Sequence, residues 1–340
     1  MQNTEMNIAT VKPSEWKDFI KVCLSADLPT MTWGASGIGK SDGLRQIAEE
    51  EGYTDVIDIR LSVTDPTDLK GIPVPDVQAG FVRWLRDQRL PTDPKAKVIV
   101  LLDEVNSGTP IEQAMAYQFT LDKAIGDYVL PENCRIVCAG NRVSDRGVVN
   151  TMPAPLRNRL VHVELVPDVD DWTTWASQND IVPELVAFVR WKQDQLHHFE
   201  PEFTAFPSPR SIAMLSSIMK KRPSSSLEHK LVEGCCGRGF AIEFTGFLKV
   251  FRSLPDVQRI KTDPDSVEVP TDPCTLYAMA SSVARMADAT NMDNVMKYTK
   301  RLGREFQMLV LGDIGARDKN LCKNKSFIEM NCDLKKLAQS

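Results

Sequence analysis

No run of this sequence is apolar for long enough to cross a bilayer. The longest, such as Val98-Ile99-Val100-Leu101-Leu102, fall far short of the roughly 20 residues a spanning helix needs. No two cysteines have the C-x-x-C spacing of a zinc site, although eight are scattered between Cys23 and Cys332. The start of the chain lacks a signal-peptide pattern, so the expectation is reduced thiols in a cytoplasm and no membrane association. Cys134 and Cys138 frame an apolar stretch that reads as a buried strand, where cysteine behaves as a small hydrophobe. Neither sign of charge dominates: 41 Lys and Arg against 46 Asp and Glu leave a net charge of -5. A whole-chain attraction to nucleic acid is therefore not evident, and local basic patches such as Lys220-Lys221-Arg222 read as solvated faces. There is no internal repeat, low-complexity tract or helix-turn-helix pattern.

What the sequence has is ordinary in bulk and specific in detail. With 340 residues, 42% hydrophobic and 26% charged, it suits one large or two modest globular domains. The stretch Gly34-Ala35-Ser36-Gly37-Ile38-Gly39-Lys40-Ser41 fits the phosphate-binding loop pattern. Pro29 to Trp33 before it reads as a strand, and Asp42 to Glu51 after it as a helix. In that context backbone N–H groups point inward and the helix dipole favours an anion. Lys40 would reach the β- and γ-phosphates of a nucleoside triphosphate, and the Ser41 hydroxyl would hold Mg²⁺.

Val98 to Leu102 has the β-branched, unbroken apolar character of a central parallel strand and ends in Asp103-Glu104. Acids there lie beside the loop, at the carboxyl ends of the strands. Asp103 would coordinate Mg²⁺ through water, and Glu104 would polarise the attacking water, which marks a hydrolase and not only a binder.

Further strands are expected at Val56–Leu61, Arg135–Ala139 and Leu160–Leu165, with a helix from Ile111 to Asp122. The alternation implies an α/β fold, a parallel sheet sandwiched by helices. Residues 1–27 read as a lead-in helix, 28–167 as the nucleotide-binding core, 168–225 as a helical lid and 226–340 as a helical extension. The Pro- and Asp-rich segment 64–97 is too long for a plain loop and reads as an insertion. Within it Phe81-Val82-Arg83-Trp84 suits a hairpin arm, its aromatics packing locally or projecting to a partner or pore. Residues 260–273 read as a surface loop.

These motifs in this order resemble the AAA+ ATPases, and more narrowly the MoxR-like group, in a bacterial or phage form. Asp103-Glu104-Val105-Asn106 resembles that group's Asp-Glu-Ile-Asn signature, and Asp65 to Gly71 resembles the lead into its helix-2 insertion. Gln113-Ala114, and Gly126 before a short strand, also fit. The resemblance extends over residues 28–211 and implies ATP as the nucleotide; no Asn-Lys-x-Asp guanine motif is present. It implies that Asn141 is the sensor-1 residue, that Arg159 or Arg157 is an arginine finger acting on a neighbour's site, and that Arg210 is a sensor-2 arginine on a lid helix. Leu160 stands where the family commonly has an aromatic. A finger in trans implies a homo-oligomer, by resemblance a hexameric ring. The expected activity is Mg²⁺-dependent ATP hydrolysis that remodels or activates a protein client, and the resemblance suggests a von Willebrand A domain protein as partner. A nucleic-acid motor or loader of phage replication or defence is the alternative.

Overall fold

Strand-forming apolar runs alternating with amphipathic helices build a six-stranded, all-parallel sheet in the computed structural model, which describes residues 8–142, 145, 150–200 and 202–338. Residues 1–7 of the expected lead-in lie outside the described residues. The chain divides into two compact units, Met1–Pro167 and Asp168–Ser340.

The first unit runs β1 (Thr10–Val11), α1 (Pro13–Ser25), β2 (Thr30–Trp33), α2 (Lys40–Glu50), β3 (Asp55–Arg60), α3 (Pro66–Lys70), β4 (Ile72–Asp76), β5 (Phe81–Leu85), β6 (Val98–Asp103), α4 (Pro110–Asp122), β7 (Ala124–Ile125), β8 (Tyr128–Val129), β9 (Arg135–Gly140), α5 (Ala154–Arg157) and β10 (Val161–Leu165). The sheet order is β1-β10-β2-β9-β6-β3. Alternation along the strands splits the core into two layers, as period-2 geometry requires. Val98, Val100 and Leu102 face Ala116 and Phe119 of α4 and Leu156 of α5. Ile99 and Leu101 face Trp16 and Ile20 of α1 and Leu44 and Ile47 of α2. Helices thus cover both faces, and β6 is buried along its apolar run. The lead-in is a short edge strand followed by a helix, because Thr10 and Val11 pair in register with Glu164 and Leu165.

The insertion holds α3 and the antiparallel hairpin β4–β5. Asp65 caps α3 by accepting from the Thr67 N–H at 2.8 Å, with Pro66 at the first helical position. The two aromatics differ. Phe81 is 55% exposed, whereas Trp84 is half-buried beneath the Lys70 ammonium, 4.7 Å from its ring centre. Ile72, Val74, Val82 and Leu85 are also exposed on this hairpin.

Among its described residues the second unit has helices and no strand: α6 (Val169–Gln178), α7 (Pro183–Trp191), α8 (Pro209–Met219), α9 (Ser225–Cys236), α10 (Arg238–Arg252), α11 (Pro273–Met286), α12 (Met292–Thr299), α13 (Arg304–Arg317) and α14 (Lys325–Ala338), with short 3₁₀ turns between some of them. One apolar cluster joins Leu185 and Phe188 of α7 and Ile212 of α8 to Val232, Phe240 and Phe244 of α9 and α10. The division expected at 225/226 runs through this cluster. A second cluster gathers α11 to α14 and includes Ile260 and Val267. Residues 260–273 are therefore anchored and not a simple surface loop: both side chains are buried, and the Tyr298 hydroxyl donates to the Glu268 carbonyl at 3.0 Å.

Candidate active site

The glycine loop begins where β2 ends, at the carboxyl edge of the sheet. Gly34 donates its N–H to the Gly140 carbonyl at 3.2 Å, which ties the loop to the end of β9. A Cβ at Gly34 would lie 2.7 Å from the Leu165 carbonyl oxygen, so only glycine fits that approach. Gly37 and Gly39 have φ of 79° and 98°, the left-handed region that glycine enters without steric cost. Gly39 is the N-cap of α2, so the first free N–H groups of that helix open onto the loop. Together these features give the loop phosphate-binding geometry.

Lys40, the first residue of α2, folds back across the loop. Its ammonium donates to the Gly34 carbonyl at 2.7 Å, to the Ala35 carbonyl at 3.1 Å and to Asn141 Oδ1 at 3.1 Å. Ser41 Oγ donates to Asp103 Oδ2 at 3.1 Å, and Asp103 Oδ1 accepts from the Glu104 N–H at 2.9 Å. One carboxylate oxygen is thereby committed to backbone while the other meets the serine. These hard oxygen donors suit Mg²⁺. Among the described residues no group of three or more His, Cys, Asp or Glu could form an all-protein cage. A cation here would complete its shell with water and ligand phosphates, as Mg²⁺ usually does.

Glu104 caps a single 3₁₀ turn, Val105–Ser107, in a left-handed backbone conformation (φ 55°, ψ 36°). Its carboxylate accepts a hydrogen bond from the Ser62 hydroxyl, just beyond the end of β3. Asn106 is buried and donates from Nδ2 to the Asn141 carbonyl at 2.7 Å, while its own carbonyl accepts from the Asn150 N–H at 2.6 Å. The acidic segment is thus strapped to the end of β9, which sets where Asn141 stands. The neighbouring Arg142 pairs with Asp145 at 2.9 Å and Glu164 at 3.4 Å. Burial penalises the Arg142 charge, yet these two carboxylates more than offset it and leave its pKa above the ordinary value.

Sequence reasoning missed Ser62 and gave Asn106 no role beyond its place in the motif. A serine after a strand carries no signal of its own. The partners of Asn106 lie 35 and 44 residues away, at Asn141 and Asn150.

The arginines lie elsewhere. Arg157 and Arg159 are exposed on the turn that leads into β10. That turn is at the amino edge of the sheet, because Val161 is in register with Thr30 and Glu164 with Trp33. At about 3.3 Å per residue, Arg159 stands on the order of 15 Å from the loop of its own chain. Its guanidinium lies over the Tyr117 ring, 4.7 Å from the centre. The Trp33 indole N–H donates to His162 Nδ1 at 3.0 Å. Indole is a donor only, so Nδ1 accepts and the proton sits on Nε2, which donates to the Arg157 carbonyl at 2.7 Å. Arg210 belongs to the second unit. It lies exposed in the first turn of α8, behind the Ser208 cap that accepts from the Ser211 N–H at 3.2 Å.

Among solved structures, the chain is similar to a candidate ATPase from Cytophaga hutchinsonii, with 11% identity over 96% of this chain and 90% of that one and a TM-score of 0.36. It is similar to a mutant of Thermotoga maritima RuvB, with 14% identity over 79% of this chain and 81% of that one and a TM-score of 0.37. It is also similar to Brucella abortus NtrX in complex with ADP, with 14% identity over 96% of this chain and 67% of that one and a TM-score of 0.36. No protein-family model and no curated protein matches the chain.

Proposed function

We propose that this chain is a Mg²⁺-dependent ATPase of the AAA+ type, MoxR-like in its motifs, which works as a ring, by resemblance a hexamer, and remodels a protein client. The observation that carries the reading is the convergence of Lys40, Ser41, Asp103, Glu104 and Asn141 on one edge of a parallel sheet, around a loop with phosphate-binding geometry. Lys40 leaves its loop carbonyls to neutralise the β- and γ-phosphates. Ser41 and Asp103 would hold the Mg²⁺. Bound there, the cation would supply charge neutralisation on the transferring phosphoryl group. Glu104 accepts a hydrogen bond from the attacking water and orients it in line, and Asn141 fixes that water or the γ-phosphate. Arg159 cannot serve its own site from the opposite edge, and on this reading it serves the next subunit's, where it stabilises developing charge. Arg210 would report the nucleotide to the helical unit.

The exposed apolar hairpin, with Ile72, Phe81, Val82 and Leu85, supports a polypeptide client over a nucleic acid, and a net charge of -5 agrees with that. A von Willebrand A domain protein is the partner the family resemblance suggests. The test pairs two variants. Lys40→Ala should lose ATP binding by calorimetry, and Glu104→Gln should bind ATP with turnover reduced at least a hundredfold. Unchanged affinity in the first, or retained turnover in the second, would sink the assignment. Capture on the ATP-held Glu104→Gln protein, with nuclease treatment in parallel, separates a protein client from nucleic acid.

A further inference from the structure

We infer that Tyr117 is a positioning residue for Arg159: it presents the guanidinium to the neighbouring subunit's phosphate site. The inference rests on the reading of Arg159 as a finger in trans. An exposed arginine has many rotamers and loses up to about 2 kcal/mol of rotamer freedom when fixed. A surface that holds the planar cation in one orientation beforehand lowers that loss at the moment of reaction. The Tyr117 ring is such a surface, 4.7 Å below the guanidinium.

The ring is itself held. Tyr117 is half-buried and packs on the core layer of Phe119 and Leu156, so its face cannot turn freely. It rides on α4, whose first turn is fixed by its own capping box and by the residue before it: the Glu112 carboxylate accepts from the Thr109 N–H at 2.6 Å, and Gln113 Nε2 donates to the Gly108 carbonyl at 3.1 Å. The turn that bears Arg159 has a second anchor, the His162 Nε2–H bond to the Arg157 carbonyl. Backbone and side chain of the arginine turn are therefore fixed independently, the first by His162 and the second by Tyr117.

The test uses mixed subunits of the full chain. Glu104→Gln subunits cannot turn over but donate a native Arg159, and Arg159→Ala subunits have an intact site but no finger, so mixing them restores hydrolysis. The donor is then made with Tyr117→Phe or Tyr117→Leu. The phenylalanine donor, which keeps the ring, should restore hydrolysis as the native donor does. The leucine donor should restore about two- to fivefold less, the fold-change equivalent to the ~0.5–1 kcal/mol of an exposed cation–π contact. Placed in the acceptor instead, Tyr117→Leu should change nothing, because that subunit's finger is already gone. Equal recovery from leucine and phenylalanine donors, or an equal loss from the acceptor side, overturns the positioning role. No recovery with native Tyr117 overturns the Arg159 reading, and the inference with it.

Discussion

Ser62 and Glu104 form a contact whose removal has a directional consequence at the level of single residues. While the Ser62 hydroxyl donates to the Glu104 carboxylate, that carboxylate is turned toward β3. A hydrogen bond to a charged acceptor contributes roughly 1.5–3 kcal/mol, so releasing it changes which partner Glu104 prefers. Ser62→Ala is expected to raise basal ATP turnover, by up to roughly tenfold, with ATP affinity unchanged. A fall in steady-state turnover would show instead that Ser62 assists Glu104. Gly34, Lys40 and Ser41 were singled out by the spacing of the glycine loop and Asp103 by its place at the end of an apolar strand, and the structure brings Ser41 and Asp103 together. Ser62 was not legible, since its meaning lies in a partner 42 residues away.

Among elements, the close contact of β9 with the acidic segment is the most exacting. A Cβ at Gly140 would lie 2.4 Å from Asn106 Oδ1 and 2.6 Å from Met31 Cε. The methionine end can move, but Asn106 is buried and already bonded to the Asn141 carbonyl. Gly140→Ala should therefore cost about 1–3 kcal/mol in chemical denaturation, the usual range for overpacking, and should displace Asn141. A variant as stable as the parent would mean that the 103–106 segment yields more readily than its packing implies. Strands β2, β3, β6, β9 and β10 were readable from apolar runs, and α4 from its Thr-Pro start. The edge strand β1 was hidden, because two residues carry no periodicity and its structure comes from pairing with β10. The anchoring of residues 260–273 was hidden for a like reason: composition marks a loop, while Tyr298 that holds it is distant in sequence.

Across the whole molecule, the change from alternating strands to helices after Pro167 was visible in the sequence and coincides with the division between the units. Less visible was how the helical unit holds together. Arg190 of α7 and Asp313 of α13 make a bidentate ion pair at 2.5 and 2.6 Å, with both side chains 13% exposed. It links the stretch expected as a lid to the stretch expected as an extension. Asp313→Ala would leave a largely buried arginine unpaired and should cost about 3 kcal/mol in urea unfolding. A loss below about 1 kcal/mol would show that solvent already screens the pair. The placement of Arg159 and the phosphate loop at opposite edges of one sheet carries a second expectation. Specific turnover per subunit should fall on dilution, as neighbours separate, and a rate independent of concentration down to dissociation would argue for a self-sufficient subunit.

The backbone of Glu104 has a consequence for any attempt to stabilise this protein. At φ 55° the residue sits where glycine and asparagine enter cheaply and a larger side chain is strained by about 1–2 kcal/mol. A search for tougher variants, scored by folding alone, would therefore favour replacing the very carboxylate that the proposed chemistry requires. Position 104 is a place where durability and reactivity select different residues.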